Sequence, residues 1–270
     1  MPLAIAGRPP QSQAVATVQA AVEAGTTLID TADVYCLDAS EFGYGEELLA
    51  RVLARLGPLG DDVVVATKGG HTRDASGAVG LDGRPASLRR ACEASLRRLG
   101  VEAIGLYQFH RPDPAVPYAE SLGALAELRE EGKVHMVGIS NASIEQIETA
   151  RTVLGAGALA SVQNEFSPDF RSSEPELEHC ARHGIAFLPW SPFGGRSRAG
   201  ALAAHRPGLG DLAAAWGLSA HQAVLAWMLA KGDHVIPIPG ASRPGSARDS
   251  AAAADCALSA DQLAQIEEVL

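Results

Sequence analysis

The sequence predicts an α/β protein built as one parallel (β/α)8 barrel, and three observations carry that expectation. Short β-branched runs alternate with longer Ala-, Leu-, Glu- and Arg-rich runs along the chain. Such alternation implies a parallel sheet with right-handed crossovers. The 270 residues are close to the roughly 250 that a single barrel of this kind uses. No Pro/Gly/Ser-rich linker divides the chain, so 1–270 reads as one domain.

A stub at 2–6 is the candidate first strand, followed by a helix over 11–24. The second and third strands are 26–30 (TTLID) and 62–67 (DVVVAT), separated by a helix over 45–56. A helix over 86–99 leads to the fourth strand, 104–109 (IGLYQF). Within the next helix, 117–131, Leu122, Leu125 and Leu128 recur at helical spacing. The fifth strand is 134–139 (VHMVGI), and Ser140 to Ser143 with Glu145 opens a helix over 143–154. The sixth strand, 160–163 (ASVQ), a helix over 175–183 and the seventh strand, 185–190 (IAFLPW), follow. Ser219 starts a helix over 219–230, ahead of an eighth strand at 234–238 (HVIPI). The 192–210 stretch is the longest irregular segment, after the seventh strand, where barrel loops reach over ligands.

Hydrophobic residues at 47% and charged residues at 20% are ordinary for a globular protein. The net charge of −10 argues against a nucleic-acid partner while leaving room for a basic pocket holding one small anion. No window approaches the ~20 apolar residues that span a bilayer, so no membrane role is expected. The opening MPLAIAGRPP does not resemble a signal peptide, and four cysteines are scattered without a CxxC pair. Together these features predict a cytoplasmic protein with free thiols.

Polar groups stand at the C-terminal ends of apolar strands. Asp30 ends TTLID, Lys68 follows VVVAT, and His110 follows LYQF. In a parallel barrel these ends share one face, the face that holds active sites. Lys68 by itself also reads as a solvated lysine. Buried, it needs a counter-charge, and Asp30 is available. Tyr35 lies in the loop leaving the same strand as Asp30. An adjacent ammonium stabilises a phenolate, lowers the phenol pKa and makes Tyr35 a usable proton donor. The bland alternative is a packing aromatic, as a structural histidine is for His110.

These residues and their neighbours resemble the aldo-keto reductase family. The matching stretches are LIDTADVY (28–35), VVVATKGG (63–70), LYQFHRPDP (106–114), VGISNAS (137–143), VQNEFSP (162–168), LPWSPFGG (188–195) and IPIPGASRP (236–244). They occur in family order and span almost the whole chain. The resemblance implies a barrel in which Asp30, Tyr35, Lys68 and His110 form a catalytic tetrad. Tyr35 would protonate a carbonyl oxygen as hydride arrives from NADPH, giving an alcohol from a small aldehyde or ketone. It also implies that Ser140, Asn141 and Gln163 bind the nicotinamide carboxamide, and that Trp190 stacks on the ring, with Ser191 and Pro192 beside it. Gly240, Ser242 and Arg243 match the loop that takes the ribose 2′-phosphate, hence NADPH over NADH, with Ser246, Asp249 and Ser250 farther along the same site.

Three departures from the family pattern stand out. Asp249 and Ser250 replace the usual residues at the adenine, removing an amide contact. Cys36 follows Tyr35 in place of glycine and begins a longer loop, so the substrate cannot be borrowed from relatives; the thiol itself reads as a small filler. Met1-Pro2-Leu3 resembles the stretch just after the first strand, so that strand is expected to be mostly truncated, with the native polypeptide starting upstream or this form impaired. His179-Cys180-x-x-His183 has metal-like spacing but no further ligands nearby in sequence, so it reads as a helix surface and no metal is expected. The other reading kept open is a non-enzymatic NADPH-sensing barrel subunit that acts on a protein partner.

Overall fold

The computed structural model describes residues 2–270 and contains a six-stranded parallel sheet with helices outside it. The first half runs α1 (Gln11–Glu23), β1 (Leu28–Asp30), α2 (Tyr44–Leu56), α3 (Pro58–Asp61) and β2 (Val64–Gly69). A hairpin of β3 (His71–Arg73) and β4 (Val79–Leu81) then interrupts the alternation. It resumes with α4 (Pro85–Leu99), β5 (Ile104–Phe109), α5 (Tyr118–Glu130), β6 (Val134–Ser140) and α6 (Ile144–Leu154). Next come β7 (Leu159–Gln163), α7 (Glu174–His183) and β8 (Ala186–Phe187). The rest is helical: α8 (Arg196–Ala199), α9 (Leu202–His205), α10 (Pro207–Ala215), α11 (Ala220–Leu229), α12 (Pro244–Ala252) and α13 (Ala260–Val269). The sheet order is β1-β2-β5-β6-β7-β8.

Several helix starts have a visible cause. Ser143, Ser219 and Ser259 each form a capping box with a glutamine three residues on, satisfying otherwise orphaned N–H groups. Helices α4, α7, α10 and α12 place proline in their first turn, where its missing N–H costs nothing.

Four expectations need correction. Residues 2–6 form turns, not a strand; Leu3 instead packs with Ala14, Val18, Leu48 and Leu49 under α1 and α2. The seventh strand shortens to two residues, and the eighth reduces to one parallel bridge, Phe187 with Val235. Pro189, Pro237 and Pro239 remove ladder donors there. The 234–238 segment nevertheless runs beside β8, since Ile236 N donates to Phe187 O at 2.8 Å and Ile238 N to Pro189 O at 3.2 Å. The irregular 192–210 stretch is broken into the short helices α8 and α9 and the start of α10. Beyond β1 no further strand pairs among the described residues, so the sheet has an edge where a closed barrel would have none. The 2–7 turns lie on that side: Arg196 donates to Gly7 O at 2.6 Å and to Ala6 O.

The largest apolar cluster, including Leu122, Val137, Phe166 and Trp227, lies between sheet and helices. Inside the sheet's curve a small floor of Ala66, Leu106 and Leu188 supports a polar layer. No single described helix is long and apolar enough to cross a membrane. The bent pair α10–α11 passes only by length and composition, and most of α11 is buried in the protein core.

Candidate active site

Strand register explains how the polar layer assembles. Asp30 pairs with Ala66, Lys68 with Gln108, Gln108 with Gly138, and Ser140 with Gln163. Side chains two apart on a strand share a face, so Lys68 stands above Ala66 and Gln108 above Leu106. A Cβ on Gly138 would come within 2.9 Å of Gln108 Cγ and would collide with Ser161 Oγ. Glycine at this position leaves the space the Gln108 amide needs.

Lys68 is completely buried. Its Nζ donates to Asp30 Oδ1 at 2.5 Å and to Thr31 O at 2.8 Å. Asp30 Oδ2 accepts from Gln163 Nε2 at 2.9 Å and Gln108 Nε2 at 3.1 Å. Burial alone would push the ammonium pKa down. Asp30 first, then Tyr35, reverse this and hold it above its ordinary value. The sequence anticipated the ion pair. It missed Gln108, although the amide alternates with Leu106 and therefore points inward.

Tyr35 keeps part of its surface open, and Lys68 Nζ lies 5.2 Å from its ring centroid. Desolvation pushes the phenol above its ordinary pKa, and the nearby ammonium opposes that rise without cancelling it. The expected net lowering is thus corrected: burial outweighs the charge. His110 meets the Tyr35 ring edge-on with centroids 5.7 Å apart. Burial, then Lys68 and His71, holds its pKa well below the usual imidazole range, so the ring is neutral near pH 7. His71, at the start of β3, lies 4.1 Å from the His110 ring and was not anticipated. Burial, with Arg111 and Lys68 nearby, lowers its pKa to about 4.

A second carboxylate of the DTADVY stretch behaves differently. Asp33 is buried, and neither oxygen has a partner among the described residues. Burial and then the charge of Glu46 raise its pKa well above the usual carboxylate range. Glu46 is itself held by Thr67 and Arg98, each at 2.6 Å. Two carboxylates three residues apart thus differ in partners: Asp30 holds an ammonium and two amides, and Asp33 has none among the described residues.

The residues assigned to the cofactor fall into three groups. Ser140, Asn141 and Gln163 adjoin the tetrad and are cross-linked: Ser140 Oγ donates to Gln163 O at 2.8 Å, and Asn141 Nδ2 to His110 O at 3.0 Å. Behind them Asn164, which sequence reasoning missed, makes a two-way bond with the Ala142 backbone. Trp190 bridges to Glu165, and its Nε1 is buried without a partner among the described residues, as are His71 Nδ1 and His110 Nδ1. Ser191 turns the chain there toward the buried Pro192. Asn141 (φ 57°) and Ser191 (φ 53°) are the described non-glycine residues with positive φ. Such strained backbone tends to cluster at ligand sites. The third group lies on and before α12. Gly240 faces the Pro2 ring, Ser242 O accepts from Gln13 Nε2 at 2.8 Å, and Arg243 is exposed at the helix start. Ser246 and Ser250 are half-buried on α12, whereas Asp249 is tied back to Ser219 Oγ at 2.9 Å. Asp249 therefore fastens α12 to the start of α11.

Comparison with known proteins identifies the family. The model of the "Aldo/keto reductase family" matches residues 3–270. An uncharacterized oxidoreductase of Schizosaccharomyces pombe is 34% identical over 256 residues, 94% of this chain and 78% of that protein. A 6-dehydroglucose reductase of Novosphingobium aromaticivorans is 35% identical over 260 residues, covering 93% and 83%. Among solved structures, a glycerol dehydrogenase of Gluconobacter oxydans superposes with a TM-score of 0.82 at 29% identity, covering 97% of this chain and 86% of that one. An aldo-keto reductase of Klebsiella pneumoniae in complex with NADPH gives 0.77 at 30% identity, covering 96% and 84%. By sequence along nearly its whole length, the chain belongs to the aldo/keto reductase family.

Proposed function

We propose that this protein reduces an aldehyde or ketone to an alcohol with NADPH, using Tyr35 as general acid, in a cytoplasmic setting where its free cysteines stay reduced. The observation that carries the reading is the fully buried Lys68 ammonium, neutralised by Asp30 and standing 5.2 Å from the Tyr35 ring beside a neutral His110. A buried cation held this way has little structural use, since apolar residues of similar volume would stabilise the fold as well.

The residues present fit the cofactor. Trp190 Nε1 is orphaned, the backbone at Asn141 and Ser191 is strained, and Arg243 makes no ion pair among the described residues. Ser140, Asn141 and Gln163 would hold the nicotinamide amide, Trp190 with Ser191 and Pro192 its ring, and Gly240, Ser242 and Arg243 the 2′-phosphate, with Ser246 and Ser250 beyond. Bound NADPH supplies the hydride. The chain's part is to place the carbonyl oxygen and protonate it. Tyr35 is protonated near neutrality, as any phenol is, and Lys68 opposes the rise that burial imposes by stabilising the phenolate as the proton leaves. Neutral His110 donates a hydrogen bond that orients the carbonyl. Asp30 keeps Lys68 charged, and Gln108 acts only through Asp30.

Tyr35→Phe tests this directly. The variant is expected to fold and bind NADPH while losing ~10²-fold or more in turnover of a nitro-substituted benzaldehyde, followed by NADPH absorbance. Equal turnover would reject the acid. NADPH binding without any turnover by the unmodified chain would favour the cofactor-sensing subunit instead.

A further inference from the structure

The His179/His183 pair, dismissed from sequence for want of further ligands, acquires a third donor in the folded chain. Four residues apart on α7, the two imidazoles point to one side with ring centroids 4.6 Å apart. Glu148, on the neighbouring α6, reaches between them. Its Oε1 lies 2.6 Å from His179 Nε2 and 3.9 Å from His183 Nε2. Cys180 is fully buried and faces away, which leaves the donor set as two nitrogens and a carboxylate.

We propose that Glu148, His179 and His183 form a surface site for a divalent transition-metal ion of the zinc class, clasping α6 to α7. The donor atoms lie within 4.8 Å of one another. A tetrahedral ion with bonds of ~2.0–2.1 Å needs donors about 3.4 Å apart. Small side-chain rotations would open the 2.6 Å Glu148–His179 spacing and shorten the 3.9 Å Glu148–His183 one to that value, because His183 and Glu148 are substantially exposed. Two imidazoles with one carboxylate suit zinc, copper or nickel, and disfavour the oxygen-seeking calcium and magnesium. Water completes the coordination.

Arg151 strengthens the inference. Its Nη1 donates to both Glu148 oxygens, at 2.6 and 2.8 Å, and lies 3.4 Å from His183 Nε2. A cationic group already sits where carboxylate and imidazole converge. A metal ion would take that position, and the half-exposed guanidinium is free to swing into solvent.

The test titrates the full-length, chelator-treated chain with zinc chloride by calorimetry at slightly alkaline pH. One ion per chain is expected, with a rise in melting temperature. His183→Asn and Glu148→Gln should each weaken binding at least about tenfold, the lower end of what losing even an outer partner costs a metal site. Arg151→Ala should tighten binding, a gain that misfolding cannot mimic. Absence of binding, equal binding in His183→Asn, or no gain in Arg151→Ala would overturn the proposal.

Discussion

Lys68 lies wholly inside the barrel mouth, with Asp30 and the Thr31 carbonyl on its ammonium, whereas Arg243 stands exposed at the start of α12 with no partner from the protein among the described residues. The two cations obey one rule under different solvation. An ammonium removed from water must be paired or it sheds its proton, so the fold supplies the counter-charge in advance. An exposed guanidinium is solvated at no cost and can wait for an anionic ligand. On the proposed function, the inner region should therefore govern stability and the outer region binding. Substitutions should separate them.

The largest effect is expected inside. Asp30→Ala leaves Lys68 buried without its carboxylate and strips the Gln108 and Gln163 amides of an acceptor. The loss should be about 3–5 kcal/mol, read from the urea midpoint. An unchanged midpoint would mean that Lys68 tolerates burial without its carboxylate.

Acid should act next, and on the inner region through its histidines. Folded His71 has a pKa of about 4 against 6.5 ordinarily, and His110 is depressed as well. The unfolded chain therefore binds more protons across that interval. Stability from these rings is complete above the ordinary value and drains as pH falls toward about 4. Urea midpoints measured through this window should decline less steeply in His71→Asn, and parallel curves would refute the assignment.

The smallest effect on folding belongs outside. Arg243→Ala should shift stability by no more than about 0.5 kcal/mol, as exposed substitutions do. It should nevertheless weaken NADPH more than NADH in a fluorescence titration. An unchanged preference would place the phosphate elsewhere.

Much of the inner site was legible because its signals are local. Asp30, Lys68 and His110 each end a run of apolar residues, and the strand ends of a parallel barrel share a face. What escaped was set by contacts across the barrel. Gln108 reads as one polar residue in IGLYQF until Asp30 and Gly138 are seen on either side of it. His71 reads as part of a loop until β3 pairs with β4 and brings it against His110. The direction of the Tyr35 shift was misjudged because a neighbouring charge can be guessed from sequence, whereas the depth of burial that opposes it cannot.

Alternation of apolar runs, strand-end polar residues and the serine starts of the helices after 143 and 219 follow from neighbours within a few positions, and one-dimensional order suffices to specify them. How far the sheet closes is another matter. The turns at 2–7, the proline-thinned pairing of 234–238 and the edge beside β1 depend on which distant backbones compete for the same donors. The same holds for the charge state of Asp33 and the meeting of Glu148 with two histidines of another helix. Both arise from desolvation and packing among residues far apart in the chain, quantities that exist only once the chain has folded.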